Sequence, residues 1–527
     1  MFKKIGLILK SVRQYKKYAI ITPLFMIGEA IIECLLPALM SLFLNATEKV
    51  QSIEDMADMS LIETAFGFSL SMNWIIALLV IGSFLSLFFG IMGGRFAAKA
   101  SVGLATNLRS DLYKKIQTFS FANIDKFQTS SLVTRLTTDV QNVSMAFQMC
   151  IRIVVRAPLM MIFSAVMAFV SGGQIAWVFV GLVFIVAICM VLIIIAAMGI
   201  FTRVFKRYDK LNESIQENVS GMRVVKSYVR EDFEKEKFNN ASTSMSNEFI
   251  RAEKIVALNN PVMNTSIHLS NMFVVGLGTY LIVKSYNPAN SSLIKGKVSL
   301  AFDGLSISDL SSLLTYGIMI LTSVLMVSII MVMLSMSLEA VRRIGEVLLE
   351  EPTIKNPANP IYEVADGSVD FDNVDFKYAS TAEKNTLEDL NIHIKSGQFI
   401  GILGSTGSGK TSLVNLISRL YDISDGELKV GGQDVKNYDL KVLRDSVAVV
   451  LQKNVLFTGT IADNLRWGNK EATDEEIKEA CKIACADEFI QTFPEGYNTM
   501  LTQGGTNVSG GKKQRLCIAR AILTKPK

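Results

Sequence analysis

The sequence predicts two successive folds in one chain: a six-helix α transmembrane domain with long helical extensions, then an α/β P-loop domain. Three observations carry this. Residues 1 to about 345 hold long uncharged runs, although 19% of the 527 residues are charged. A soluble domain carries about 25%. Second, Gly404-Ser405-Thr406-Gly407-Ser408-Gly409-Lys410-Thr411 is a full G-x-x-x-x-G-K-[ST] phosphate-binding loop. Third, from Asp366 onward the composition is that of an ordinary soluble domain. The expected organisation is a membrane domain over 1–345, a linker over 346–365 and a P-loop domain over 366–527.

Lys3, Lys4, Lys10, Arg13, Lys16 and Lys17 precede the first apolar run, which places this end in the cytoplasm. The run is too long for a signal-peptide core and is read as a first membrane helix. Span 1 is expected over Ala19–Leu44 and span 2 over Asn73–Gly94. The acidic segment 47–72 between them, with Glu54, Asp55, Asp58 and Glu63, fits an external loop. Between Arg156 and Arg203 no charge occurs, a length that crosses a core of roughly 30 Å twice. Ser171-Gly172-Gly173-Gln174 is the expected turn between spans 3 and 4. Span 5 is expected between Lys254 and Lys284, and span 6 between Asp309 and Glu339. The two charged stretches, 95–156 and 203–254, are expected to be cytoplasmic helical extensions. Pro352, Pro357 and Pro360 then break helical structure before the second domain.

Net charge is +5, and the basic residues flank apolar spans, so no nucleic-acid partner is implied. The six cysteines are scattered. Cys481 and Cys485 lack a second pair or a nearby histidine for zinc, and all six are read as small hydrophobes.

Around the phosphate loop, Phe399–Leu403 is expected to be a buried strand. Leu413, Leu416, Ile417 and Leu420 recur at helical spacing after it. Glycines let backbone N–H groups wrap a phosphate, and the helix N-terminus adds its positive end. The nucleotide-binding set runs from Gly404 to Ser412. Lys410 is expected on the β- and γ-phosphates and the Thr411 hydroxyl on Mg²⁺. Val369–Phe371 and Val374–Phe376 are expected to be two short strands, and Val447–Leu451 a further one.

A second motif follows, Asn507-Val508-Ser509-Gly510-Gly511-Lys512-Lys513-Gln514-Arg515. With it the chain resembles an ATP-binding cassette exporter subunit, one six-helix membrane domain fused to one P-loop ATPase domain. The motif is similar to the family signature L-S-G-G-Q-x-Q-R, with Val508 for Leu and Lys512 for the first Gln. The resemblance implies that Ser509, Gly510, Gly511 and Lys512 close over ATP held by the opposite subunit's phosphate loop. It implies that Tyr378 stacks on adenine, against the alternative of a surface tyrosine at a strand end. It implies that Gln452 contacts Mg²⁺ and that Gln503, where many exporters carry Glu, faces the partner's cytoplasmic loops. Leu132–Asp139 and Glu217–Lys226 resemble the two coupling segments that dock on the ATPase domains, and Ser337–Ile344 resembles the exit of helix 6.

The resemblance places the Walker B carboxylates and the switch histidine beyond Lys527. No catalytic residue is therefore expected within the chain. The α/β domain is expected to be incomplete at its C-terminus, and the chain alone to bind ATP without turning it over. The implied cofactors are ATP and Mg²⁺. The implied assembly is a dimer of half-transporters, with a heterodimer favoured by the sequence around Gly504–Asn507. It would sit in the cell membrane, multi-pass, with the N-terminus and ATPase domain cytoplasmic. The implied activity is ATP-driven export of multiple drugs or a small amphipathic compound; a lipid or peptide exporter and a non-pumping ATP-binding subunit are the alternatives.

Glu29 and Glu33 lie one turn apart in span 1, where carboxylates are costly unless they face a polar cavity, pair or protonate. They are candidates for a substrate path favouring cationic or amphipathic compounds, or else form an interior pair bonded to other spans. Met319, Met326, Met331, Met333 and Met336 of span 6 are either an adaptable pocket or core and lipid-facing residues.

Overall fold

The computed structural model describes residues 2–48, 62–63, 69–70, 72–285, 306–378 and 383–527. The chain divides into two compact units, Met1–Tyr113 with Val133–Leu348, and Lys114–Leu132 with Leu349–Lys527. The second unit therefore takes a segment from between two membrane helices.

The first unit is built on six long helices: α1 (Lys16–Glu48), α2 (Met72–Gln117), α3 (Val140–Gly172), α4 (Trp177–Ser220), α5 (Asn259–Ser285) and α6 (Ile307–Leu349). Among the described residues, five helical stretches are long and apolar enough to span a membrane. One of them, Thr129–Phe201, contains both α3 and α4, parted by a 3-10 turn at Gly173–Ala176. The predicted six spans thus correspond to six helices. At 1.5 Å per residue, the 46 residues of α2 and 44 of α4 overrun a bilayer core, so each continues well past it. Pro23 and Pro37 sit inside α1 without ending it. The segment holding Glu54, Asp55 and Asp58 lies outside the described residues.

Apolar side chains on the outer faces are exposed, including Trp74, Ile81, Phe84 and Phe88 of α2 and Phe184, Ile188 and Ile195 of α4. Such stripes suit lipid rather than water. Inside, α3, α4, α5 and α6 meet in a cluster around Ala168, Phe179, Val274, Leu313 and Tyr316. The Tyr316 hydroxyl finds its partner in the Cys34 carbonyl of α1 at 2.9 Å. The helix Glu231–Val256 runs beside α4 and forms the second extension.

The second unit holds a four-stranded antiparallel sheet and a helical half. The strands are β1 (Val369–Phe376), β2 (Leu387–Ile394), β3 (Asp425–Val430) and β4 (Gln433–Asp434), in the order β2-β1-β3-β4. The two strands expected at 369–371 and 374–376 are one. The ladder shifts register between Phe371 and Val374, where Asn373 takes φ +47°. That kink lets Phe371, Val374 and Phe376 all face the core, which a strict two-residue alternation forbids. The core also takes Leu413 and Leu416 of α7 (Lys410–Ile417). The helical half centres on Ile461, Ile477, Cys481, Ile490 and Leu516, with α8 (Gly510–Leu523) across it.

Two expected strands do not form. Phe399–Leu403 and Val447–Leu451 carry no ladder among the described residues, and Phe399 and Leu403 are almost fully exposed. A strand exists only where a neighbour takes its backbone hydrogen bonds, and no described segment pairs with either run. The helix after the phosphate loop also stops at Ile417, before Leu420, because Arg419 takes φ +50°.

Candidate functional site

The phosphate loop lies between the coil after β2 and the start of α7. Gly407 and Gly409 hold φ of +87° and +84°, left-handed values that glycine adopts without a Cβ penalty. A Cβ on Gly409 would fall 2.5 Å from Leu387 Cδ2. The loop curls so that Lys410 Nζ donates to Gly404 O at 2.9 Å, Ser405 O at 2.7 Å and Ser408 Oγ at 3.2 Å. These partners are all neutral oxygens, and no carboxylate pairs with Lys410 among the described residues. The loop therefore keeps a positive charge beside the first turn of α7, whose N–H groups lack intrahelical acceptors. This donor set fits a polyphosphate. Thr411 is exposed in the same turn and Gln452 is exposed in a coil, both neutral oxygen donors of the type a hard cation takes.

Tyr378 stands beside the same turn. Its hydroxyl shares a 2.8 Å hydrogen bond with Ser412 Oγ, next to Thr411. Its ring packs edge-on against Phe376 at 4.8 Å and Tyr421 at 5.1 Å, and remains 47% exposed.

The second motif opens α8. Ser509 is the N-cap residue in an extended conformation, and Ser509, Gly510 and Gly511 are exposed. Nothing stands within 4 Å of a Cβ built on either glycine, so the N-terminus of α8 is open to a large anion. Val508, in place of the family Leu, is buried in the helical core. Lys512, in place of Gln, lies over the rings of Phe489 at 5.2 Å and Phe493 at 5.0 Å. Arg515 donates to Cys485 O at 3.0 Å. Asn507 braces the preceding turn by accepting from Thr502 N and donating to Met500 O. Gln503 is exposed on that turn.

A short helix, Phe121–Phe127, packs on the phosphate-loop half. The Tyr421 hydroxyl donates to Asp125 Oδ2 at 2.6 Å, and Phe121 meets the Tyr421 ring at 6.0 Å. Asn123 Nδ2 donates to Glu351 O at 3.0 Å and Asn123 Oδ1 accepts from Thr353 N at 3.2 Å, while Lys126 pairs with Glu350 at 2.8 Å. Burial first, and the Asp125 carboxylate next, hold the Tyr421 hydroxyl above the usual tyrosine range.

Phe121–Phe127 thus lies upstream of the expected first coupling segment, Leu132–Asp139. Of Leu132–Asp139, Arg135 and Asp139 belong to the membrane unit. There Arg135 donates to Arg343 O at 2.7 Å and Arg343 donates to Asp139 Oδ1 at 2.7 Å, tying the start of α3 to the end of α6. The sequence signal for this short helix is the capping pair Ser120 and Asn123 between Phe119 and Phe127. The second segment ends α4 and continues as the helix Met222–Ser227, which buries no residue and exposes Val219, Val224, Tyr228 and Val229 around it.

In the membrane unit a cavity of about 590 Å³ opens between α1, α2, α3 and α6. Glu33 and Arg156 line it; Glu29 does not. Glu29 is 7% exposed and fits beside Gly90 of α2, where a Cβ would meet Glu29 Oε1 at 3.0 Å. Arg156 Nη2 donates to both Glu33 oxygens at 2.8 Å and lies 3.4 Å from Glu29 Oε1. Sequence reasoning missed Arg156 as a site residue. Its one trace there was that it bounds the uncharged run. Met319 and Met326 also line the cavity, whereas Met331 and Met333 do not.

Comparison with known proteins agrees with both halves. Residues 22–294 match the family model for the ABC transporter transmembrane region, and residues 387–527 match that for the ABC transporter. An uncharacterized ABC transporter ATP-binding protein of Mycobacterium tuberculosis is 33% identical over 434 residues, covering 81% of this chain and 71% of the relative. A Bacillus subtilis protein of the same description is 30% identical over 454 residues, covering 86% and 76%. A putative ABC transporter ATP-binding protein of Mycoplasma pneumoniae is 28% identical over 543 residues, covering 99% and 85%. The chain belongs to the ATP-binding cassette transporter family, as a membrane-embedded exporter-type half-transporter whose transmembrane region and ATP-binding domain are fused.

Proposed function

We propose that this chain is one subunit of a dimeric exporter that moves a small amphipathic compound out of the cell. The observation that carries the reading is the cavity between α1, α2, α3 and α6, with one charged edge, in the same chain as a phosphate loop. Methionines on its wall suit varied apolar bodies.

On this reading Lys410 and the backbone of Gly404–Gly409 bind the nucleotide phosphates, Thr411 and Gln452 hold the metal, and Tyr378 takes the base. Mg²⁺ held there would supply neutralisation of phosphate charge. Ser509, Gly510, Gly511 and Lys512 present the N-terminus of α8 to the nucleotide on the partner's loop. Closure of two such domains pulls on Phe121–Phe127 through Tyr421 and Asp125, and so on α2 and α3. The exposed Met222–Ser227 tip supports the dimer, since its apolar residues await a surface on the partner subunit. The N-terminus and ATP-binding domain lie in the cytoplasm. The partner is a different half-transporter, the reading favoured by the sequence around Gly504–Asn507.

The test is transport in proteoliposomes holding the chain with its partner half-transporter. ATP-dependent accumulation of an amphipathic dye supports the reading. ATP turnover without movement of dye, lipid or peptide would instead mark a regulatory subunit.

A further inference from the structure

We propose that Arg156 is a built-in stand-in for the cargo's positive charge, and that a monocationic amphipathic cargo displaces it from Glu33 while it stays on Glu29. This deepens the reading of the cavity as the cargo site and rests on it.

The argument is one of charge and access. In direct contact, two carboxylates share one guanidinium, so Arg156 cannot pair fully with both. A charge in a membrane core needs a partner or a polar cavity. Arg152, one turn along α3, neither lines the cavity nor forms an ion pair with either glutamate among the described residues, although its charge also acts on Glu29. The walls from α2 and α6 bring only neutral groups to the cavity, such as Ser83, Ser311, Thr315 and Thr322. One added monovalent cation pairs with the single carboxylate that Arg156 gives up.

The geometry says where that cation goes. All three contacts of Arg156 run through Nη2, which leaves Nε buried with no hydrogen bond among the described residues. Glu29 Oε2 is likewise buried and unbonded. A small rotation of Arg156 toward Glu29 therefore pairs two groups now left unsatisfied, and frees Glu33 on the cavity side. Breaking a buried ion pair is costly when one charge is left alone, so Arg156 yields Glu33 only to another cation. Glu33 is the specificity residue, and Glu29 and Arg156 position it.

The experiment measures dye binding to the assembled transporter in lipid nanodiscs, without nucleotide. The probes are a monocationic rhodamine ester and the zwitterionic free acid of the same ring system. Glu33→Gln is expected to weaken the ester by about tenfold or more and leave the acid within about twofold. The paired variant Glu29→Gln/Arg156→Gln keeps the net charge and removes the competitor. It is expected to bind the ester about tenfold more tightly than wild type. Because the expected result is a gain in affinity, which a misfolded protein would not show, it also guards against simple misfolding. If both dyes bind and neither variant changes their ratio, the exchange is overturned while the cavity stands as a cargo site. If wild type binds neither dye, the amphipathic-cargo reading falls with it.

Discussion

Tyr421 donates its hydroxyl hydrogen to Asp125 over 2.6 Å, tying a helix borrowed from between α2 and α3 to the phosphate-loop half of the ATP-binding domain. Phe121 and the Asn123 contacts to Glu351 and Thr353 surround that bond. Tyr421→Phe keeps the ring and deletes the bond, at a cost of about 1.5 kcal/mol. Faster hydrogen exchange over 114–132 is expected, with cargo-stimulated ATP turnover falling more than basal turnover. Unchanged exchange would sink the assignment. The tyrosine pKa is raised, so its contribution is fully present below the ordinary tyrosine range, about pH 10, and fades as pH climbs through the raised value.

Lys410 is the loop's own cation, held by Gly404 O, Ser405 O and Ser408 Oγ. Lys410→Ala is expected to weaken binding of a fluorescent ATP analogue by about a hundredfold or more, with little change in melting temperature. Retained affinity in a folded variant would remove Lys410 from the site.

Two glycines separate folding from function. Gly426 has φ +85°, and a Cβ there would stand 2.2 Å from Asn373 O, so Gly426→Ala is expected to melt well below wild type. Gly510 has open space around it, so Gly510→Ala is expected to melt as wild type yet lower ATP turnover of the assembled transporter at least about tenfold. Scanning fluorimetry beside an ATPase assay reads both. Wild-type turnover in Gly510→Ala would show that no ligand approaches this glycine.

Asp139 is fully buried against Arg343, whereas Arg342 meets Glu339 and Glu346 at the surface. Asp139→Asn is expected to cost about 2–3 kcal/mol in detergent or nanodiscs, and Arg342→Ala at most about 1 kcal/mol. Equal melting temperatures for the two variants would contradict the clamp between α3 and α6.

Cys481 is fully buried, and burial pushes its thiol up to about 11, while Cys485 is exposed. At pH 8 maleimide is expected to label Cys485 first and Cys481 only after denaturant. Peptide mass spectrometry reads the order, and early labelling of Cys481 would mean that the helical core opens.

Much of the molecule was legible in the sequence because the relevant forces act locally. Uncharged runs of bilayer length force helices, whatever packs beside them, since no water is there to satisfy the backbone. The spacing of Gly404, Gly409, Lys410 and Thr411 encodes a loop whose conformation depends on a few neighbouring residues. Ser509-Gly510-Gly511 announces an open helix start in the same way.

What depended on partners distant in the chain was decided only by the tertiary structure. Phe399–Leu403 and Val447–Leu451 have strand composition but no described neighbour to pair with, and a strand is a property of two segments. Arg156 is 123 positions from Glu33, so no local pattern announced that they meet. The packing of Phe121–Phe127 was not legible because it is set by the surface the helix meets, here Tyr421, 296 positions from Asp125. Backbone geometry is set within a few residues, whereas charge pairing and docking belong to whichever surfaces the completed fold brings together.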